Sequence, residues 1–264
     1  MKLQFVRKYF GANEWKQFAR DIRVQGGLLR SLSKYPDSIL VTGCQRSGTT
    51  LVTRLLAQSP EINDIWVSKD DEYDAAMILS GSHNTEAAGR FCFQTTYLNE
   101  SYIEYIENKD LPFQLIWVVR NPVPVVNSML YNWGRYPLNE LYEACGEKYL
   151  DEYSNQYHFT KNIFTGLNAV EKACLAYVGK QKQLLEIYRH FSKDNLLVIN
   201  YESITGSPMD SVPELFRFAR LEYKEEFIKI IKPKGNVDKD VRNKNIIEAI
   251  CMDTYQQARK FATI

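Results

Sequence analysis

The sequence predicts an α/β fold in which a buried parallel sheet lies between helices. Three observations predict it. Apolar runs at residues 38–42, 62–67, 114–119 and 195–200 are in several cases continuous rather than alternating, as in strands covered on both faces. Helical patterns lie between them, so the order reads as repeated βα units. A chain of 264 residues, 45% of them hydrophobic, can bury one large core, and one domain spanning residues 1–264 is expected.

The elements follow in order. Trp15, Phe18, Ala19 and Ile22 recur at i, i+3, i+4 and i+7, which gives an amphipathic helix within an N-terminal helical segment, residues 1–34, and Gly26-Gly27 ends it. Its polar face is basic; packing on the sheet with that face in solvent is the plainer reading, contact with a membrane surface the other. The run at 38–42 leads into a helix over 49–58, stopped by Pro60. A longer helix over 169–191 sets Leu184, Leu185, Ile187 and Tyr188 on one apolar side. From 131 to 164 the pattern turns aromatic and irregular, with Tyr131, Trp133, Tyr136, Tyr142, Tyr149 and Tyr153 among its rings, and reads as an insertion over the open end of the sheet.

Net charge near +1 gives no global attraction to nucleic acid or membrane, so a basic site must be local. Arg7, Lys8, Glu14, Lys16, Arg20, Asp21 and Arg23 interrupt the N-terminal segment throughout, which argues against a signal peptide or spanning helix and for a cytoplasmic protein. Five cysteines, widely spaced and without a C-x-x-C pair, suggest reduced thiols rather than a disulfide framework or zinc site.

The most informative segment is Gly43-Cys44-Gln45-Arg46-Ser47-Gly48-Thr49-Thr50, between a strand and a helix. Its spacing is that of a nucleotide-binding P-loop, but Thr49 stands where ATPases and GTPases place lysine. A loop closing on a helix N-terminus aims several backbone N–H groups at one point, where the helix dipole adds partial positive charge. Ser47, Gly48, Thr49 and Thr50 supply those amides and hydroxyls. A nucleotide hydrolase would also need an acidic residue ending another strand to help hold magnesium. Here one strand ends in Arg120 and another in Tyr201-Glu202, so the site reads as cationic and metal-free. The planar fork of Arg120, at a strand's C-terminal end, faces the crevice where α/β proteins bind ligands and matches a phosphate. Pro122 and Pro124 are expected to delay the next helix so that Ser128 falls one or two turns into it, within reach of the same anion.

On these residues the chain resembles the sulfotransferases that use 3′-phosphoadenosine-5′-phosphosulfate. Arg46-Ser47-Gly48-Thr49-Thr50 is similar to the family's first motif, and Arg120 with Ser128 eight positions later is similar to its second. Val198-Ile199-Asn200-Tyr201-Glu202 resembles a third, whose tyrosine lies by the adenine. The match runs over residues 38–220 or so. The resemblance implies a three-layer P-loop-type fold and an enzyme moving a sulfuryl group to a hydroxyl of a carbohydrate or small-molecule acceptor, with no metal. It implies that Arg46 and the amides of Ser47, Gly48, Thr49 and Thr50 hold the 5′-phosphosulfate, that Arg120 and Ser128 hold the 3′-phosphate, and that Tyr201 meets the base. Arg46 would also stabilise charge on the leaving oxygen.

The general base departs from cytosolic relatives, whose Lys-Thr-His segment corresponds to Gln94-Thr95-Thr96. Other branches use a glutamate after the P-loop helix, which points to the Asp70-Asp71-Glu72 cluster, with Glu72 first and Asp71 second; a solvated acidic turn is the bland alternative, and His83 is a weaker rival. Residues 131–168 would form the acceptor lid, their rings either offering flat faces to the acceptor or only packing. Lys232, Lys234, Lys239, Arg242 and Lys244 either close over the 3′-phosphate or form a solvated loop. Two other readings stand beside sulfuryl transfer: a P-loop kinase or hydrolase, and a catalytically silent nucleotide-binding scaffold. Nothing in the sequence sets oligomeric state.

Overall fold

Four parallel strands form the sheet in the spatial order β2-β1-β3-β4, with β1 (Ser38–Gly43), β2 (Cys92–Gln94), β3 (Phe113–Val119) and β4 (Leu196–Asn200). This computed structural model describes residues 24, 26–63, 71–83, 89–133, 135–157, 167–231 and 243–264. Every strand residue is buried, which is why the runs are apolar throughout. Side chains alternate between two cores. Leu40, Phe93, Leu115, Trp117, Val119 and Val198 point into one, and Ile39, Val41, Ile116, Val118 and Ile199 into the other.

Helices cover both faces. After β1 come α1 (Thr49–Leu56) and α2 (Asp71–Leu79); α3 (Ile103–Glu107) follows β2, and α4 (Pro122–Asn132) follows β3. The insertion contributes α5 (Arg135–Leu141), a π turn at Tyr142–Gly146 and α6 (Leu150–Tyr157). The long α7 (Ala169–Tyr188) leads to β4, after which α8 (Tyr201–Gly206), α9 (Pro208–Phe218) and α10 (Lys244–Arg259) complete the described chain. Helices α2, α4, α7 and α10 pack on the first core, whereas α1 and α9 pack on the second. The result is the expected three-layer arrangement with a parallel central sheet.

Several expectations are corrected. Of the strand expected at 62–67 only residues 62 and 63 are described, Ile62 forming an isolated parallel bridge with Arg90; residues 64–67 lie outside the described residues. The strand beside β1 is instead the three-residue β2, too short to leave a periodic signal. The prolines after β3 do not delay a helix. Pro122 is the first residue of α4, where the missing N–H has no intrahelical partner to lose, and the Asn121 side chain caps the turn by accepting from Val123 N at 2.9 Å. Helix α1 stops at Leu56 and α7 at Tyr188, each shorter than its pattern. A capping box starts α7, with Asn168 and Glu171 exchanging side chain to backbone bonds. The amphipathic helix expected at 15–22 lies outside the described residues.

The described part of the insertion packs inward more than it lines a surface. Tyr142 and Tyr153 are buried and Tyr149 is partly buried against the same core as α7, while Tyr131 remains 46% exposed. The π turn and α7 touch backbone to backbone. A β-carbon at Gly179 would lie 2.0 Å from the Cys145 carbonyl oxygen, and one at Gly146 would lie 2.8 Å from Ala176 N. Only a residue without a side chain permits that approach. Gly179→Ala is expected to separate the insertion from α7 and to lower stability by roughly 1–3 kcal/mol, read as a fall in the midpoint of chemical denaturation at unchanged slope.

Candidate functional site

Parallel pairing decides where the chemistry gathers. The register sets Gly43, the last residue of β1, opposite Val118 of β3, so the loop after β1 and the turn after β3 leave the sheet side by side at its C-terminal end. The β1 loop turns tightly, with Ser47 N donating to Cys44 O at 3.1 Å, and delivers Gly48 as the N-cap of α1. Gly48 has φ of +101°, and a β-carbon there would fall 2.3 Å from the Tyr201 ring, so glycine is required twice over. Arg46, a non-glycine residue, takes φ of +69°. Such backbone costs about 1–3 kcal/mol and persists where surroundings hold it.

Those surroundings are the other predicted residues. Arg46 Nε donates to Ser128 Oγ at 3.0 Å, and Arg120 Nη1 donates to the Arg46 carbonyl at 3.2 Å. The Arg120 guanidinium lies 4.1 Å from the centre of the Tyr201 ring, a cation–π contact, and Tyr177 Oη donates to the Arg120 carbonyl at 2.7 Å. Arg46, Ser128, Arg120, Tyr201 and Gly48 therefore form one connected group, 82 positions apart in sequence at the widest direct bond. Two polar atoms in this group and the adjoining loop are buried without a hydrogen-bond partner, Arg120 Nε and Ser47 Oγ. Such atoms cost about 1–3 kcal/mol each while unmet, as expected of a surface completed by an anionic ligand. Thr49 is buried and half-buried Thr50 follows it in the first turn of α1, beside the loop amides.

The base candidates separate. Glu72 lies in the first turn of α2, and its Oε1 accepts from Thr96 Oγ1 at 2.6 Å. The acidic cluster and the Gln94-Thr95-Thr96 segment thus meet. Asp71 opens α2, but its side chain lies outside the described residues, as does Asp70. His83 follows α2, its N–H donating to Met77 O at 2.9 Å, and among the described residues no bond joins it to the Thr96 turn. Residues 232–242 are outside the described residues; Lys244 is in the first turn of α10, 3.7 Å from Glu248.

Several residues here escaped sequence reasoning. Gln45 Nε2 donates to Thr96 O and Asn99 Oδ1, both at 2.9 Å, tying the phosphate loop to the turn after β2. Glu202 Oε1 accepts from Asn121 N at 3.1 Å, bracing the turn that carries Arg120. Fully buried Lys180 reaches the same Thr96 turn. A lysine on the apolar stripe of a helix was the one signal available; the others depend on contacts between distant segments.

The sulfotransferase domain family model matches residues 36–239. The chain belongs to the sulfotransferase family. This makes it a sulfuryl-transferring enzyme and sets the kinase and hydrolase reading aside. Its fold is similar to two solved sulfotransferase domains. One is from the curacin biosynthetic pathway, with 13% identity, 85% of this chain and 96% of that chain covered, and a TM-score of 0.53. The other is from the Synechococcus PCC 7002 olefin synthase, with 14% identity, 86% and 95% covered, and a TM-score of 0.50. No curated protein sequence matches the chain. No described helix of this sulfotransferase is long and apolar enough to cross a membrane.

The thiol beside the site is chemically quiet. Cys44 lies within the phosphate loop, fully buried, and burial pushes its thiol far above the ordinary range, with the nearby Cys145 adding to the rise and Lys180 opposing it. Cys145 is likewise pushed up to about 12, chiefly by burial. Since the thiolate is the reactive form, iodoacetamide at mildly alkaline pH is expected to leave both unmodified in the folded protein and to label both after denaturation, as peptide mass spectrometry would show.

Proposed function

We propose that this sulfotransferase moves the sulfuryl group of 3′-phosphoadenosine-5′-phosphosulfate to a hydroxyl of a carbohydrate or small-molecule acceptor. One observation carries the reading: Arg46 and Arg120, from two separate strand-end turns, are joined through Ser128 and the Arg46 carbonyl into one cationic crevice. The residues present fit a doubly anionic nucleotide. Unpartnered Ser47 Oγ and Arg120 Nε face a need for acceptor atoms, and the loop offers N–H groups at the start of a helix. Arg46 with the amides of Ser47, Gly48, Thr49 and Thr50 would hold the 5′-phosphosulfate, Arg120 and Ser128 the 3′-phosphate, and the Tyr201 ring would lie beside the adenine. When bound, the donor supplies a sulfuryl group attached to an anionic leaving group. Arg46 stabilises charge on the leaving oxygen, and Glu72 takes the proton of the acceptor hydroxyl, its carboxylate held by Thr96. Asp71 is the second choice for that role.

The chain acts as a single domain in the cytoplasm, with residues 131–168 as the lid over the acceptor. The inward packing of Tyr142 and Tyr153 leaves Tyr131 as the ring most open to an acceptor among the described residues of that segment; its hydroxyl accepts from Asn243 Nδ2 at 3.1 Å.

Calorimetry tests the nucleotide assignment. The chain is expected to bind 3′,5′-adenosine bisphosphate in preference to ADP with magnesium, and Arg120→Ala to weaken that binding by about 10- to 100-fold, the worth of a hydrogen bond to a charged group. Preference for ADP with magnesium refutes it. In transfer of labelled sulfate to a panel of hydroxyl compounds, Glu72→Gln is expected to lower turnover by about 10²- to 10⁴-fold with bisphosphate affinity unchanged. Full turnover in that variant removes Glu72 as the base.

A further inference from the structure

Helix α7 carries a lysine on its inward stripe. Tyr177, Lys180, Leu184 and Ile187 are all fully buried, although an interior ammonium costs several kcal/mol unless it is well partnered. Among the described residues Lys180 makes no ion pair. Its Nζ instead reaches Thr96 O at 3.5 Å and Leu98 O at 3.4 Å, and lies 5.7 Å from the centre of the Trp117 ring. Both carbonyls belong to the turn after β2. Thr96 also donates through Oγ1 to Glu72 and accepts at its carbonyl from Gln45 of the phosphate loop. One residue therefore separates the buried cation from the carboxylate, and the two attract: Glu72 is among the groups that favour the charged form of Lys180.

We propose that Lys180 is a positioning residue for sulfuryl transfer, its ammonium anchoring the Thr96 turn that aims Glu72 and favouring the ionised, proton-accepting form of that carboxylate. The inference rests on Glu72 being the base. Lys180 touches neither reactant, being wholly enclosed. A structural lysine would serve the core better as methionine or leucine; what the charge adds is a field on the one titrating group that a base catalyst must keep unprotonated.

The surroundings leave that coupling open to measurement. Tyr97, after β2, and Tyr105, on α3, both interact with Glu72, and burial raises both phenols above their ordinary range. Glu104 of α3 lies near the same tyrosines and its own carboxyl is raised, mainly by burial. Around Lys180 lie the thiols of Cys145 and Cys44, both raised by burial, while burial lowers its own pKa from the ordinary lysine value.

Carbon-13 NMR of the full chain, labelled at glutamate carboxyl carbons and bound to 3′,5′-adenosine bisphosphate, reads Glu72 directly, its signal being the one lost in Glu72→Gln. In Lys180→Met the Glu72 midpoint is expected to move to higher pH, because loss of a nearby cation disfavours the carboxylate. The acid limb of kcat/KM for labelled-sulfate transfer should move the same way, with the donor KM unchanged. Coupling is reciprocal, so a second titration needs no change at Lys180. The lysine ε-carbon signal shifted by the Trp117 ring should titrate at lower pH in Glu72→Gln than in the wild type. Unmoved midpoints together with turnover lost in Glu72→Gln overturn this inference alone. Turnover undiminished in Glu72→Gln removes the base assignment and this inference with it.

Discussion

The hydrogen bond from Arg120 to the Arg46 carbonyl is the contact on which the site depends. It ties a loop that leaves β1 to a turn that leaves β3, and it can form because those strands are adjacent, parallel and paired as far as Gly43 and Val118. An antiparallel partner would have sent the second turn to the opposite end of the sheet. The same bond holds Arg46 at a positive φ that its side chain disfavours, and it places the guanidinium of Arg120 over Tyr201, which in turn packs on Gly48. Among the described residues no carboxylate is bonded to either guanidinium, so the like charges of Arg46 and Arg120 disfavour each other.

A second linkage runs through the turn after β2. Thr96 receives Gln45 from the phosphate loop and Lys180 from α7 at its carbonyl, and gives its hydroxyl proton to Glu72. The loop proposed to grip the donor and the carboxylate proposed as base are therefore oriented by one residue. The close glycine contact between α7 and the π turn sets how deep α7 lies, and so where Lys180 ends. Rigid packing beneath a catalytic group confines its geometry in the way transfer chemistry demands.

The fold was largely legible because burial on both faces writes a continuous apolar run into each long strand, and three of the four strands announced themselves so. The exceptions are instructive. β2 has only three residues, and its pairing with β1 supplies what its own pattern does not. Pro122 sat at a position where proline starts a helix rather than postponing it, a distinction that depends on Asn121 capping from outside. The aromatic insertion read equally as faces for a ligand or as packing, because ring content does not show direction; in the folded chain Tyr142 and Tyr153 turn to the core.

By itself, the sequence determined the phosphate loop, the arginine at the end of a strand and the three-layer class, since each rests on local spacing: glycine where the backbone must turn, apolar runs where strands are enclosed, a cation at a strand's exit. Tertiary structure alone decided that Glu72 meets Thr96, that Arg46 meets Ser128, and that a lysine from α7 ends beneath them. Those pairs lie 24, 82 and 84 positions apart. No short-range rule relates residues so distant; their meeting follows from the strand order and from how closely α7 can approach the sheet.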